Sequence, residues 1–154
     1  MNITDLLAPD AVLPALKVQS KKQLLQELSS RAHGITRLPE RRIFETLVER
    51  ERLGTTGVGA GIAIPHGKIA RVKQIFGVFA RLERPIDFEA QDSAPVDLMF
   101  LLIAPESAGA DHLKALSRTA RALRDPAFTA RLRATKDPSA LYLLLTQTPA
   151  SHAA

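Results

Sequence analysis

The sequence of 154 residues contains no cysteine. A disulfide scaffold, a thiolate metal site, a cysteine nucleophile and a thiol redox switch are therefore excluded. Long apolar runs are missing too. The longest, Leu98 to Ala104, has seven residues, where a membrane helix needs about 20. The first residues, MNITDLLAPD, carry two aspartates, no basic segment and no apolar stretch, so they do not form a secretory signal. No segment is expected to span or enter a membrane, and a cytoplasmic setting is the expectation. Charge of one sign is only mildly in excess: 21 Lys and Arg against 16 Asp and Glu give a formal +5. That surplus tolerates an anionic ligand but falls far short of a nucleic-acid-binding tail.

What remains is the composition of one folded domain, 45% hydrophobic and 24% charged. Ala11 to Val18 reads as a strand, with Pro14 marking an edge position. Ser20 is a helix N-cap, and Leu24, Leu25 and Leu28 recur at helical spacing until Gly34, where the helix is expected to stop. A second helix opens near Pro39, with Ile43, Phe44, Leu47 and Val48 on one face, and ends before Gly54. Strands are expected at Ile75 to Leu82 and Asp97 to Ala104, the latter central and covered on both faces. From Gly109 onward the chain reads as helical. Asp111 is the expected cap, Leu113, Leu116, Ala120 and Leu123 form the inner stripe, and shorter helices follow at Pro126 to Arg133 and Pro138 to Thr146. This order predicts a single α/β domain, a mixed β-sheet flanked by helices, over residues 1–148, with a flexible tail at 149–154.

Five of the eight glycines fall at positions 54, 57, 59, 61 and 67. Gly57, Gly59 and Gly61 fail the dinucleotide fingerprint because position 62 is Ile. Gly67-Lys68 is followed by Ile69 rather than Ser or Thr, so no Walker-type phosphate loop is present. The segment Ile62-Ala63-Ile64-Pro65-His66-Gly67 instead places a histidine just beyond a short apolar strand, beside a residue with no side chain. Such an imidazole suits reversible phosphoryl transfer near neutral pH, and it equally suits a turn histidine bonded to local backbone.

The stretch ERERLGTTGVGAGIAIPHGK resembles the phosphorylation-site signature of the type-2 IIA proteins of the phosphoenolpyruvate-dependent phosphotransferase system. That family includes the mannitol and fructose IIA proteins and the nitrogen-regulatory IIA protein. The likeness continues through GVFARLERPIDFEAQDSAPVDLMFLLIAPES to DHLKALSRTARALRDPAF and covers nearly the whole chain. It implies the mannitol/fructose-type IIA fold, with His66 as the phosphoryl acceptor through Nε2, Arg50 stabilising the phosphoryl group and His112 hydrogen-bonding close by. Thr55, Thr56 and Gly67 are further candidate contacts. His33 and His152 match nothing and are expected to be solvated. Ala60 departs from the asparagine of some members.

The resemblance implies no metal and no cofactor. It implies an HPr-like phosphocarrier as donor and regulatory targets such as sensor kinases or potassium-transport proteins. With no IIB or membrane part in this chain, the regulatory branch is favoured over the alternative, a freestanding fructose- or mannitol-type IIA component that passes phosphate to a IIB domain. The basic segment Lys114 to Lys136 reads as a solvated helix face or a docking surface for an acidic protein. With only Phe128 interrupting it, it is no stacking platform for nucleic acid.

Overall fold

A computed structural model describes residues 3–147. The His152 and tail expectations lie outside the described residues. A short helix α1 (Ile3–Leu6) and a 3-10 turn (Pro9–Ala11) lead into β1 (Val12–Leu16), α2 (Lys21–Thr36) and α3 (Glu40–Arg52). Three short strands follow, β2 (Gly57–Gly59), β3 (Ile62–Ala63) and β4 (His66–Lys68), then two long ones, β5 (Phe76–Ile86) and β6 (Val96–Ala104). The described chain closes with α4 (Gly109–Leu123), α5 (Pro126–Ala134) and α6 (Pro138–Thr146).

The sheet is mixed, in the order β1-β5-β6-β3-β2, with β4 also paired to β6. Strand β5 runs antiparallel to β6, whereas β1 is parallel to β5 and both β3 and β4 are parallel to β6. Pro14 lies in an edge strand, where its missing N–H leaves no ladder bond unmade. Every residue of β6 from Leu98 to Ala104 is buried, which requires helices on both faces. Helices α2 and α3 pack on each other and reach β5 and β4, while α4 packs on β6 and α6 on β1.

The predicted cap of α2 holds: Ser20 accepts from the Gln23 N–H, and the Gln23 side chain accepts from the Gln19 N–H in return. Asp125 and Asp137 cap α5 and α6 in the same way, each ahead of a proline in the first turn.

Four local expectations need correction. Helix α2 does not stop at Gly34 but continues to Thr36, and Arg37 takes the left-handed cap position with φ 67°. A single helical glycine costs only about 1 kcal/mol, and His33 holds the end by a 2.6 Å bond from Nδ1 to the Leu38 carbonyl. Strand β5 runs four residues past Leu82, with a register shift between Arg81 and Ile86 that accommodates Pro85. Asp111 is not the cap of α4, which begins two residues earlier after Ala108 with no side-chain cap. The inner face of α4 is also rotated from the predicted leucine stripe. His112, Ala115, Thr119, Ala122 and Leu123 are buried, and Leu113 is 67% exposed. Small residues there let α4 lie close to β6 and leave room for the His112 ring.

Candidate functional site

The site is organised by a break between two strands. Strand β3 ends at Ala63, and the Ile64 N–H turns away to the Thr56 carbonyl. Pro65 has no N–H to donate, but its carbonyl accepts from Leu102 at 2.9 Å. Pairing to β6 resumes at His66, opposite Leu102. His66 therefore opens strand β4 rather than following the end of a strand, and the ladder on both sides fixes its backbone.

Gly67 brings the next element in. A Cβ on Gly67 would meet Thr46 Cγ2 at 2.6 Å, so the missing side chain is space already taken by α3. That close approach has a consequence one turn later. Thr46 and Arg50 are four residues apart on the same helix face, and Arg50 Nε donates to His66 Nε2 at 3.2 Å. Arg50 also donates through Nη1 to the Gly54 carbonyl at 2.9 Å, beyond the end of its own helix.

The tautomer of His66 follows from its partners. Nδ1 lies 2.9 Å from the Ile64 carbonyl, which can only accept, so Nδ1 carries the proton. Nε2 is then a lone pair, matching its role as acceptor from Arg50. The imidazole is held neutral below its ordinary pKa of 6.5, first by burial and then by the Arg50 cation, against the opposing pulls of the Ile64 bond and the Glu51 carboxylate. A neutral imidazole with its lone pair on a defined nitrogen is a nucleophile.

His112 comes from α4, which packs on β6. Its ring centroid lies 5.6 Å from that of His66, tilted by 53°. It is buried, and its Nδ1 has no hydrogen-bond partner among the described residues. Burial, then the neighbouring His66 and Lys68, lower its pKa as well.

His66, Arg50 and His112 are thus brought together. The two threonines are not available in the same way. Thr56 is buried, its N–H donates to Glu51 Oε1 at 3.1 Å, and its hydroxyl donates to Glu51 Oε2. The Thr55 hydroxyl accepts from the Gly57 N–H and faces the Phe88 carbonyl. Both side chains build the loop between α3 and β2. His33 is committed to its helix end, and Ala60 sits at φ 57° with its N–H on Asp92 and its carbonyl on Arg133.

The basic segment divides. Arg133 is spent on Asp97 through paired bonds of 2.9–3.1 Å, while Lys114, Arg121, Arg124 and Arg131 are exposed. Sequence reasoning missed Glu51 and Lys21, which form an ion pair of 2.9 Å directly beneath the site. Among the described residues no group of His, Asp and Glu could hold a metal ion, and no helix is long and apolar enough to cross a membrane.

The family model for the phosphoenolpyruvate-dependent sugar phosphotransferase system, EIIA 2, matches residues 5–148. A nitrogen regulatory protein of Bradyrhizobium diazoefficiens is 61% identical over 153 residues, 99% of this chain and 100% of that protein. Among solved structures, the nitrogen regulatory protein IIA-Ntr of Neisseria meningitidis superposes with a TM-score of 0.89 at 36% identity, covering 94% of this chain and 99% of that one. The mannitol IIA of Escherichia coli superposes with a TM-score of 0.77 at 20% identity, over 90% of this chain and 97% of its own, and shares the fold.

Proposed function

We propose that this chain, which belongs to the EIIA 2 family of the phosphoenolpyruvate-dependent sugar phosphotransferase system, is a phosphoryl carrier of the nitrogen-regulatory kind. It takes a phosphoryl group on His66 Nε2 from a histidine-phosphorylated carrier of the HPr type, and its phosphorylation state decides which partner protein it holds. The observation that carries this reading is the fixed tautomer of His66. Nδ1–H is tied to the Ile64 carbonyl, so the lone pair stands at Nε2 beside a guanidinium.

In the transfer, the Nε2 lone pair forms a new bond to phosphorus as the phosphorus–nitrogen bond of the donor breaks, and its electron pair returns to the donor imidazole. No proton has to enter or leave, because Nδ1 keeps its own throughout. Positioning and charge neutralisation are then the protein's whole task. At rest Arg50 donates into the lone pair that must react. As the phosphoryl group arrives, that N–H turns to its oxygens, where a guanidinium binds more strongly. His112 supplies a second donor. Leu53 and Leu113, close in the chain to Arg50 and His112, are 84% and 67% exposed, apolar surface of the sort a protein donor covers.

The high identity to a nitrogen regulatory protein over the full length favours the regulatory branch over a sugar-specific component. The test is incubation with phosphoenolpyruvate, enzyme I and an HPr-type carrier, followed by intact mass and acid treatment. The expected result is one acid-labile phosphoryl group on the wild type and none on His66→Ala. Equal labelling of the two overturns the assignment. Rapid loss of the label to a fructose- or mannitol-type IIB protein selects the sugar-specific component instead.

A further inference from the structure

Glu51, the residue after Arg50, is the anchor of a second charged cluster. Lys21 Nζ lies 2.9 Å from Glu51 Oε1, and the two side chains are only 17% and 6% exposed. Both oxygens of Glu51 are also bonded by Thr56, through its N–H and its hydroxyl. Lys21 Nζ stands 4.5 Å from the centroid of the Phe88 ring, which is fully buried. The ammonium is thus enclosed by a carboxylate on one side and an aromatic face on the other. Helix energetics alone disfavour a lysine at this position. It opens α2, whose first turn holds no acidic residue, and a cation is the wrong sign for the positive end of a helix.

The cluster touches the reacting centre in two ways. Glu51 holds Thr56, and Arg50 holds the Gly54 carbonyl, so the 53–56 loop is strung between two consecutive residues at the end of α3. The Glu51 charge also acts on His66 directly. A buried carboxylate there opposes a phosphoryl dianion arriving at Nε2, unless a cation neutralises it.

We propose that Lys21 is a positioning and charge-masking residue for phosphoryl transfer: it fixes Glu51, and through it the loop that orients Arg50, and it cancels the Glu51 charge that would oppose phosphate on His66. This rests on the reading of His66 as the phosphoryl acceptor. A lysine that merely supports the fold gives a different set of mutant phenotypes.

The test compares wild type, Lys21→Met and the double variant Lys21→Met/Glu51→Gln. It measures the phosphorylated fraction at equilibrium with a phosphorylated HPr-type carrier, the titration of the His66 imidazole by NMR, and thermal unfolding. Lys21→Met is expected to lower the transfer equilibrium about tenfold, the order of effect of one unmasked unit charge at an effective dielectric constant of about 20. It is also expected to move the His66 titration to higher pH. The double variant carries no charge to mask and should recover most of the lost transfer.

Wild-type equilibrium and titration in Lys21→Met overturn the proposal. So does a folded double variant impaired tenfold, and that arm stands even if Lys21→Met alone fails to fold. Absence of phosphorylation in the wild type would instead overturn the reading of His66 itself.

Discussion

Replacing Arg50 by alanine tests the electrostatics of the site most directly, because the residue makes one contact that must break and one that must form. At rest its Nε donates to His66 Nε2 at 3.2 Å, a charge-assisted bond worth about 1.5 kcal/mol. In the transition state of the proposed transfer the same guanidinium faces phosphoryl oxygens. At about 4 Å and an effective dielectric constant of about 20, one pair of unit charges gains roughly 4 kcal/mol. Subtracting the first from the second leaves about 2.5 kcal/mol of differential stabilisation, or a rate lower by roughly 50–100-fold.

Two further signs accompany this. The Arg50 cation lowers the His66 pKa, so the His66 titration should move to higher pH in Arg50→Ala. The bond to the Gly54 carbonyl is exposed, so unfolding should shift by no more than about 1 kcal/mol. Quench-flow transfer from a labelled carrier gives the rate, and NMR titration gives the pKa. A transfer rate within threefold of wild type, together with an unmoved titration, would refute the reasoning and leave Arg50 as a support for the 53–54 turn.

The other predictions use the same structure. Burial lowers the pKa of both His66 and His112 below 6.5. The unfolded chain then takes up protons before the folded one, so their contribution to stability is complete above about pH 6.5 and is lost as pH falls through the folded values. Transfer to His66 should be flat from pH 8 to about 6.5 and decline only below that; a decline beginning above pH 7 contradicts the sign. Thr119 is fully buried, and its hydroxyl has no hydrogen-bond partner among the described residues. Thr119→Val should therefore stabilise the protein by about 1 kcal/mol in urea titration, and a loss of stability would show that the hydroxyl has a partner. Ala60 at φ 57° bears a left-handed strain of about 1 kcal/mol. Ala60→Gly should match or exceed wild-type stability, and destabilisation by more than about 1 kcal/mol would contradict the strain.

Much of the fold was legible because its elements carry local signals. Ser20 caps the helix that its side chain predicts, α5 and α6 open at Pro126 and Pro138 as expected, and the apolar run through β6 announces a central strand. The errors arise where tertiary context outweighs a local cue. Gly34 is a weak stop because nothing crowds it and the end of the helix is held three residues later. The leucine stripe of α4 misleads because hydrophobicity alone cannot distinguish a side chain packed on the sheet from one left at the rim of a site. There the helix turns its small residues and a histidine inward and leaves Leu113 outside.

Of the site, the motif points to His66, and the family resemblance adds Arg50 and His112, which the fold brings beside it. Gly67 stands out in the sequence only as a residue with no side chain beside the imidazole, but the space it leaves is filled by Thr46. That matters more, because it is how α3 comes near enough for Arg50 to reach Nε2. Lys21 and Glu51 are thirty residues apart in the chain, and no spacing rule joins them. A trace was nevertheless present. Two lysines opening a helix with no acid in its first turn set the charge against the helix dipole, and such a violation is compensated by an anion brought from elsewhere. Glu51 is that anion. It stands next to Arg50, and under the proposed transfer its own charge must be cancelled for that arginine to stabilise a phosphoryl group.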